Sequence, residues 1–554
     1  MMYNRYMFAL ALLIGAYSYG IFALGLLGLL YKSHIAVFTV LFLSLIVIWK
    51  RKPLISCIKK FLLQSRHIRE NIRHALQELK KHKVFGLLIL LFLLQASVNL
   101  IGVFGPELSF DALWYHLTLP KLYLLHHAVY HIPGGLLYYS DMPKLTEMLY
   151  VPALAFGSET LVKFVHFTFG ILTCIAIYKL SRTWFTPFLS LLAVLIFYSN
   201  LVVGWESFAA YIDLARTFFE VMALWAFLNW WESAKQKWLL ISAVLIGLAI
   251  TTKLLAIGSL LIFTLLLVGR GLQRKNIEDI RKTISTLFTY WFVALLIPLP
   301  WLIFSSIHTG NPVYPFFSAI YQVSPSAINP ISFFRDIFIL FTHASDPVSL
   351  MYIITFPFVI FYFTKLKREI KVIALYSLFA IIAWYFTPRT GGGRFIMPYL
   401  PAMSIVIIGV LDYVRSVRKK KLLSNILIVL IILSSMFSIV YRFAANYKYV
   451  PVIIGKESKE SFLTKHLNFS FSDFYDTDNY FKNTLQANDR VLLYGFHNLY
   501  YVDFPFIDSS WVTQSDRFNY VATQNVTLPE KYRKWKLVYK NDQTMVKLYK
   551  RPVK

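Results

Sequence analysis

The chain has few charged residues and almost no cysteine. Of its 554 residues, 15% are charged and 57% are apolar, whereas soluble domains carry about 25% charged residues. Such a chain has too little polar surface for a soluble enzyme. Its 48 Phe, 35 Tyr and 13 Trp can bury far more area than a disordered chain contains. Two cysteines, Cys57 and Cys174, provide no disulfide framework.

Acidic residues are also scarce relative to basic ones. There are 28 Asp and Glu against 56 Lys and Arg, which gives a net charge of +28. In a soluble protein this excess would suggest a nucleic-acid partner. In a membrane protein it is typical of cytoplasmic loops that face anionic lipid headgroups, and we expect no nucleic-acid partner.

Long apolar runs are present instead, and they predict a polytopic α-helical membrane protein. A spanning helix needs about 20 apolar residues. Whether 238–269 forms one helix or two is left open. The candidate spans, about thirteen, lie at 7–30, 35–49, 84–104, 158–179, 186–205, 210–231, 238–252, 254–269, 284–304, 349–364, 372–387, 395–413 and 422–441.

The basic segments orient these spans. If the N-terminus is cytoplasmic and every span crosses, the segments 50–83, 270–282, 365–371 and 415–421 all lie in the cytoplasm. This arrangement predicts a multi-pass protein of the cytoplasmic membrane. The parts expected outside are two long loops that include interfacial helices, and a tail: 105–157, 305–348 and the chain from about 442.

Three regions follow from this topology. Residues 1–83 form a helical hairpin and a basic segment at 50–83, either an amphipathic helix on the inner leaflet or a solvated linker. Residues 84–441 form the transmembrane catalytic module. Residues 442–554 form a small extracytoplasmic α/β domain, because 490–496 alternates in polarity and 535–549 is typical of a β-hairpin about an Asn-Asp turn.

Acids and cations collect on the predicted outer loops. Carboxylates near a membrane are costly, so acids at helix ends on one face mark a candidate site. Mixed with cations and aromatic rings, they suggest a site for a polar substrate that carries a phosphate. The three groups are Asp111 with Tyr115, His116 and Lys121; Asp141 with Lys144 and Glu147; and Glu206 with Asp213 and Arg216.

The motifs in these loops resemble those of the bacterial GT-C glycosyltransferases. These are the polyprenyl-phosphate-sugar-dependent enzymes related to protein O-mannosyltransferases and to the aminoarabinose transferases of lipid A. The resemblance runs in order over about 84–415, although this chain has an extra helical hairpin and basic segment before the first outer loop. The strings that carry it are DALWYHLTLPKLYL, MPKLTEMLY, AYIDLARTFFE, GLAITTK, GNPVYPFF and GRFIMPYLP.

The resemblance implies a membrane glycosyltransferase that moves a hexosyl or pentosyl group from a polyprenyl-phosphate donor to a lipid, glycan or protein acceptor. It makes Asp111 the general base and Glu147 an acceptor-binding or tuning acid. Structural alternatives are a helix N-cap for Asp111 and a helix-surface charge for Glu147. No Asp-Glu or Asp-x-Asp pair stands at Asp111, so the choice between no cofactor and a divalent cation, Mg or Mn, stays open.

Three cations are candidates for binding the donor phosphate: Lys121, Lys144 and Arg394, the last following the glycine-rich stretch 387–393. Their alternative is a cation snorkelling to the headgroups. No residue is predicted to bind metal, because the histidines at 126–131 lack zinc-site spacing. The predicted cavity residues are Tyr115, His116, Asp141, Glu206, Tyr211, Asp213, Asn311 and Tyr314.

Several cavity residues have plain structural alternatives. Asp141 suits a turn, Tyr314 suits a membrane-interface anchor, and a pairing with Arg216 would explain Glu206 and Asp213.

Two other function classes remain: a transporter or flippase of lipid-linked glycans, and a glycan ligase or polymerase. A transporter would place ionisable groups near the bilayer midplane, often on broken helices in two similar halves. Here only Lys253 is a candidate buried charge, and an outer turn explains it. A ligase or polymerase would use cationic rather than acidic chemistry in its outer loops.

Overall fold

A computed structural model describes most of the chain. The described residues are 2–49, 83–272, 277–321, 329–344, 346–387 and 389–552. The predicted amphipathic segment 50–83 lies outside them except for its last residue. That prediction, and the basic-linker alternative to it, therefore stay as stated.

Every predicted span coincides with helical structure in the described residues. The long apolar runs form helices because their backbone groups can then bond within the segment. The described α-helices that precede the tail are α1 Met2–Leu26, α2 Lys32–Trp49, α3 Lys83–Phe104, α4 Thr118–His126, α5 Glu147–Phe156, α6 Glu159–Ser181, α7 Pro187–Tyr198, α8 Leu201–Glu206, α9 Asp213–Ser233, α10 Gln236–Thr252, α11 Ile257–Leu272, α12 Ile277–Leu296, α13 Leu299–Thr309, α14 Pro330–Thr342, α15 Met351–Tyr362, α16 Arg368–Tyr385, α17 Leu400–Ser416 and α18 Lys421–Asn446.

Fewer helices are long and apolar enough to cross a membrane than the thirteen predicted. Among the described residues there are six, or seven if α12 and α13, bent by 60°, count as one span. Helix α7 has 12 residues, about 18 Å of helix against a hydrocarbon core of about 30 Å. Charged side chains at Asp213, Arg216 and Glu220 lower the hydropathy of α9. The count of thirteen crossings stays a prediction.

Two breaks in the helices position polar groups. Between α7 and α8, the amide of Asn200 donates to the carbonyls of Ile196 and Phe197 and accepts from the amide of Ser349. The second break, at Lys253, separates α10 from α11. The segment 238–269 is therefore two helices, which answers the question left open by the sequence.

The described parts of the predicted outer loops and of the predicted inner segments lie at opposite ends of the helix bundle. At one end, the loop at 105–157 contacts the tail, as Lys121 and Val502 show. At the other end, Lys367 donates to the carbonyl of Trp184 and pairs with Asp412. Helices α4, α5 and α14 lie within the predicted outer loops, where α14 exposes Ile331 and two Phe side chains.

The tail from about 442 folds into short helices and a five-stranded sheet. The predicted hairpin is confirmed as β4 and β5, which pair antiparallel. Within the stretch 490–496, the three consecutive residues Val491, Leu492 and Leu493 are all buried rather than alternating, because β1 lies between two parallel neighbours with both faces covered. The elements are α19 Val450–Ile453, α20 Lys459–His466, α21 Tyr480–Thr484, β1 Val491–Tyr494, β2 Phe506–Asp508, β3 Tyr520–Gln524, β4 Lys536–Asn541 and β5 Val546–Lys550, in sheet order β2-β1-β3-β5-β4.

Lys121 joins the tail to the first outer loop. Its ammonium group donates to the carbonyl oxygens of Tyr500 and Val502, at 2.7 and 2.8 Å, and to the carboxylate of Asp503 at 2.7 Å. Nearby, the Tyr501 hydroxyl donates to the carbonyl of Glu107. These contacts give hydrogen-bond donors to the backbone carbonyl oxygens of Tyr500, Val502 and Glu107.

We predict that Lys121→Met loosens the tail. The substitution leaves two carbonyl oxygens without their donor, which costs roughly 2 kcal/mol of unfolding free energy. Limited proteolysis of the purified protein should cleave between the bundle and the tail faster than in the wild type. Asp503→Asn is the matched control, because the Asp503 side chain is 81% exposed and its ion pair contributes little. Equal cleavage rates for Lys121→Met and wild type would contradict this role.

Candidate functional site

Three predicted carboxylates converge on one predicted cation at the outer-loop end. The Arg394 guanidinium lies with Nη1 2.9 Å from Asp111, Nε 3.1 Å from Glu206 and Nη2 3.4 Å from Asp213. Glu206 and Asp213 are fully buried, whereas the Asp111 side chain is 21% exposed. The five-donor fork of arginine suits this arrangement, which the single ammonium of a lysine could not match.

Asp111 follows a tightly fixed entry from α3. Buried Glu107 accepts hydrogen bonds from the amides of Leu108 and Ser109 and thereby fixes the turn. Asp111 then precedes a π-helical turn at Ala112–His116, and its side chain makes no capping hydrogen bond there. The carboxylate instead extends to Arg394, so the N-cap alternative does not describe this residue.

The turn between α8 and α9 is fixed from three sides. Glu107 also accepts from the Ala210 amide at 2.7 Å. The His166 ring bonds the Ala209 carbonyl through Nδ1 and the Leu214 amide through Nε2. The Tyr150 hydroxyl donates to the carbonyl of Tyr211.

This fixed turn places both Tyr211 and Asp213 next to the guanidinium. The hydroxyl of Tyr211 accepts from the Asp111 amide at 3.2 Å, and its ring centroid lies 4.4 Å from the Arg394 Cζ.

Two glycines of the stretch before Arg394 occupy positions that a side chain would not fit. Gly392 has φ +54° and ψ −133°, a conformation that L side chains rarely adopt. A Cβ added at Gly393 would lie 3.2 Å from both Val202 and Val348. The two glycines thus let Arg394 enter between α8 and the second outer loop.

Lys253 belongs to the same site. Its ammonium group lies 2.6 Å from the Asp213 carboxylate, and its Nζ lies 4.9 Å from the centre of the Phe395 ring. From its sequence context Lys253 is expected at an outer turn. In the structure it lies at the turn between α10 and α11, and its side chain pairs with a buried acid. Asp213 is thereby shared between two cations.

A second cluster of predicted residues lies in the same outer loop. Glu147 accepts a hydrogen bond from His116 Nδ1 at 2.9 Å, and both side chains are buried. Asp141 is also buried and pairs with His131 at 2.8 Å. Burial raises the pKa of Glu147, but the hydrogen bond and charge of His116, followed by the charge of Lys144, outweigh it and lower that pKa.

Lys144 is a buried cation without a direct partner among the described residues. Its side chain is 2% exposed, and burial lowers its pKa to about 8, although Glu147 and Asp141 act in the opposite direction. The amide of the following residue, Leu145, donates to the carbonyl of Thr251 at the end of α10. Lys144 therefore lies beside the break that carries Lys253.

Three other predicted residues have hydrogen-bonding or stacking partners other than Arg394. Lys121 bonds the tail, as described above. The Asn311 side chain closes its own turn, donating to the Phe316 carbonyl and accepting from the Val313 amide, next to Tyr314. The Tyr115 ring stacks on Tyr139 with centroids 4.1 Å apart.

Arg216 pairs with Glu220 at 2.6 Å rather than with Glu206 or Asp213. The structural alternative for those two acids therefore does not hold.

Some residues of the site were not selected from the sequence. Glu107 directly follows Pro106 at the end of a span, and His166 is an ionisable residue inside a span. Both positions carry the signal that selected Asp111, a costly polar group near the membrane. Arg442, buried within α18, likewise pairs with Asp346 of the second outer loop.

No group of three or more His, Cys, Asp or Glu side chains in the described part of the chain is arranged to hold a metal ion. The three acids of the site contact a guanidinium instead. The choice between no cofactor and a divalent cation therefore stays open.

Comparisons with known proteins agree with this architecture. A family model described as dolichyl-phosphate-mannose-protein mannosyltransferase matches residues 150–304. ArnT from Cupriavidus metallidurans, solved bound to undecaprenyl phosphate, has a TM-score of 0.57 and 13% identity, covering 84% of this chain and 98% of that chain. Its apo structure gives 0.54 and 12%, with the same coverage.

The Archaeoglobus fulgidus oligosaccharyltransferase in its apo form was also found, with a TM-score of 0.46 and 14% identity, covering 79% of this chain and 69% of that chain. No curated protein matches the chain. The predicted resemblance is confirmed at this level: residues 150–304 match the O-mannosyltransferase family model, and the fold of the chain is similar to that of ArnT.

We predict that Lys144→Met stabilises the protein near neutral pH. Because the pKa of Lys144 falls from 10.5 to about 8 on folding, the unfolded state binds more protons between these values. The unfavourable contribution of the ammonium group is therefore complete below pH 8 and is lost as the pH rises to 10.5.

At pH 7 the gain should reach up to about 3 kcal/mol and should shrink above pH 8. Thermal unfolding at pH 7 and pH 10 measures it, with exposed Lys482→Met as the control. A lower Tm for Lys144→Met at pH 7 would show that its ammonium group is stabilising in the fold.

Proposed function

We propose that this protein is a membrane glycosyltransferase that uses a polyprenyl-phosphate sugar as donor and acts on the outer face of the cytoplasmic membrane. The observation that carries the proposal is the contact between Asp111 and Arg394, a partly exposed carboxylate beside a guanidinium at the outer-loop end. The fold shared with ArnT, whose structure holds undecaprenyl phosphate, supports a lipid-linked donor.

In the proposed reaction, Asp111 takes the proton of an acceptor hydroxyl while that oxygen bonds to the anomeric carbon. The bond between this carbon and the donor phosphate breaks, and the polyprenyl phosphate leaves with the electron pair. A single displacement with one base inverts the anomeric carbon. Lys144 and Arg394 offset the additional negative charge of the leaving phosphate.

Arg394 links donor binding to the release of the base. Its Nε and Nη2 face two fully buried acids, whereas its Nη1 contacts Asp111, the one exposed acid of the three. An incoming phosphate therefore competes with Asp111 for Nη1. Once that contact is exchanged, the Asp111 carboxylate has lost its partner and can accept a hydrogen bond from the acceptor hydroxyl.

Lys144 fits the second contact to phosphate. An ammonium group that is buried, with no hydrogen bond to any described side chain, binds an anion without first giving up a partner. The ammonium group of Lys121 is already bound by its three contacts with the tail, so Lys121 is not part of this proposal. The acids Glu147 and Asp141 lie beside Lys144 and would face the acceptor.

We expect Asp111→Asn to lower transfer about 100- to 10,000-fold, the usual contribution of a general base. Donor binding should persist, because the substitution removes a competitor for Arg394. The assay follows a radiolabelled sugar from a synthetic polyprenyl-phosphate donor with purified protein, and Asp503→Asn serves as the control. Wild-type activity in Asp111→Asn would refute the base assignment.

A separate prediction concerns Arg394→Lys, which keeps the charge and removes the fork. We expect the KM for the donor to rise about tenfold or more, since one ammonium group cannot contact Glu206, Asp213 and a phosphate at once. Tm values check that the variant folds. An unchanged KM would contradict the role of Arg394 in phosphate binding, but it would not bear on the role of Asp111 as the base.

A further inference from the structure

A large cavity opens between helices at the end of the bundle opposite to Asp111. Its volume is about 1260 Å³, and it lies among the first residues of α3, α7 and α18 and the last turn of α17. Helix α3 runs from this cavity toward the outer loop, and α17 runs to it from the Arg394 loop. The cavity is thus a full helix length away from the candidate site.

The rim of this cavity is positively charged. Lys83, Arg415 and Lys421 line it, and no Asp or Glu does. None of the three cations forms an ion pair with a residue that the structure describes. The Arg415 guanidinium lies 5.2 Å from the ring centre of Phe188, whereas neighbouring Lys367 is paired with Asp412. The described residues therefore leave the charge of the rim uncompensated.

Below the rim the walls are apolar. Phe188, Ile428, Val429 and Ile432 line this part. From Lys421 to Ile432 the helix rises about 16 Å, close to the roughly 15 Å of hydrocarbon in one leaflet. A ligand that fits such a space has an anionic head and a long apolar chain.

We propose that this cavity binds one anionic phospholipid of the leaflet at that end. Its phosphate lies among the three cations and an acyl chain follows α18. Basic pockets between transmembrane helices on the positively charged side of a membrane protein bind headgroups of this kind. An anionic headgroup is complementary in charge to the three cations of the rim.

Native mass spectrometry of the full-length protein in detergent tests the proposal, with phosphatidylglycerol and phosphatidylcholine as probes. The wild type should retain phosphatidylglycerol preferentially. Lys83→Gln, Arg415→Gln and Lys421→Gln, combined, should lower its affinity about fivefold for each cation removed. A control triple substitution, Lys235→Gln, Lys237→Gln and Lys365→Gln, removes three exposed cations outside the cavity and should leave retention unchanged.

Val429→Trp is a second variant, which leaves the charges unchanged and places a larger side chain in the cavity. It should also reduce phosphatidylglycerol retention, whatever the folding of the charge variant. Equal retention of the two lipids by the wild type, or equal loss in both triple variants, would overturn the proposal. So would displacement of phosphatidylglycerol by equimolar undecaprenyl phosphate, which would make the donor lipid the occupant.

Discussion

The site depends on one guanidinium that compensates three carboxylates. An unpaired buried carboxylate costs several kcal/mol, so α8, α9 and the first outer loop can bring Glu206, Asp213 and Asp111 together only around a cation. Arg394 is that cation, and Lys253 shares the charge of Asp213. The remaining features, from the glycines before Arg394 to the fixed turn at 209–214, place these groups at contact distance.

The environments of Lys144 and Asp111 are not the ones that would make the fold most stable. Lys144 is buried without a direct ionic or hydrogen-bonding partner among the described residues, an arrangement that costs free energy of folding. Asp111 is the least buried acid of its cluster, and in the proposed reaction it is the acid that the donor phosphate replaces at Arg394. Local departures from the most stable arrangement, such as these, are typical of functional sites.

Local patterns made the helices predictable, while long-range contacts decided the roles of individual side chains. Apolar runs predicted where helices form, and the Asn-Asp turn predicted the hairpin in the tail. Asp111 and Arg394 were both selected, but their contact joins residues 283 positions apart, and no spacing rule gives it. Lys121 resembled a phosphate ligand because its partners lie up to 382 residues further along the chain. His166 was missed because it lies inside an apolar helix and acts on backbone groups of a distant turn.

The most direct test of the account is an experimental structure of the protein with undecaprenyl phosphate bound. The account predicts that the phosphate contacts Arg394 Nη1 and the Lys144 ammonium group, and that the Asp111 carboxylate is separated from the guanidinium and faces open space. A phosphate bound elsewhere, with Asp111 still paired to Arg394, would contradict it.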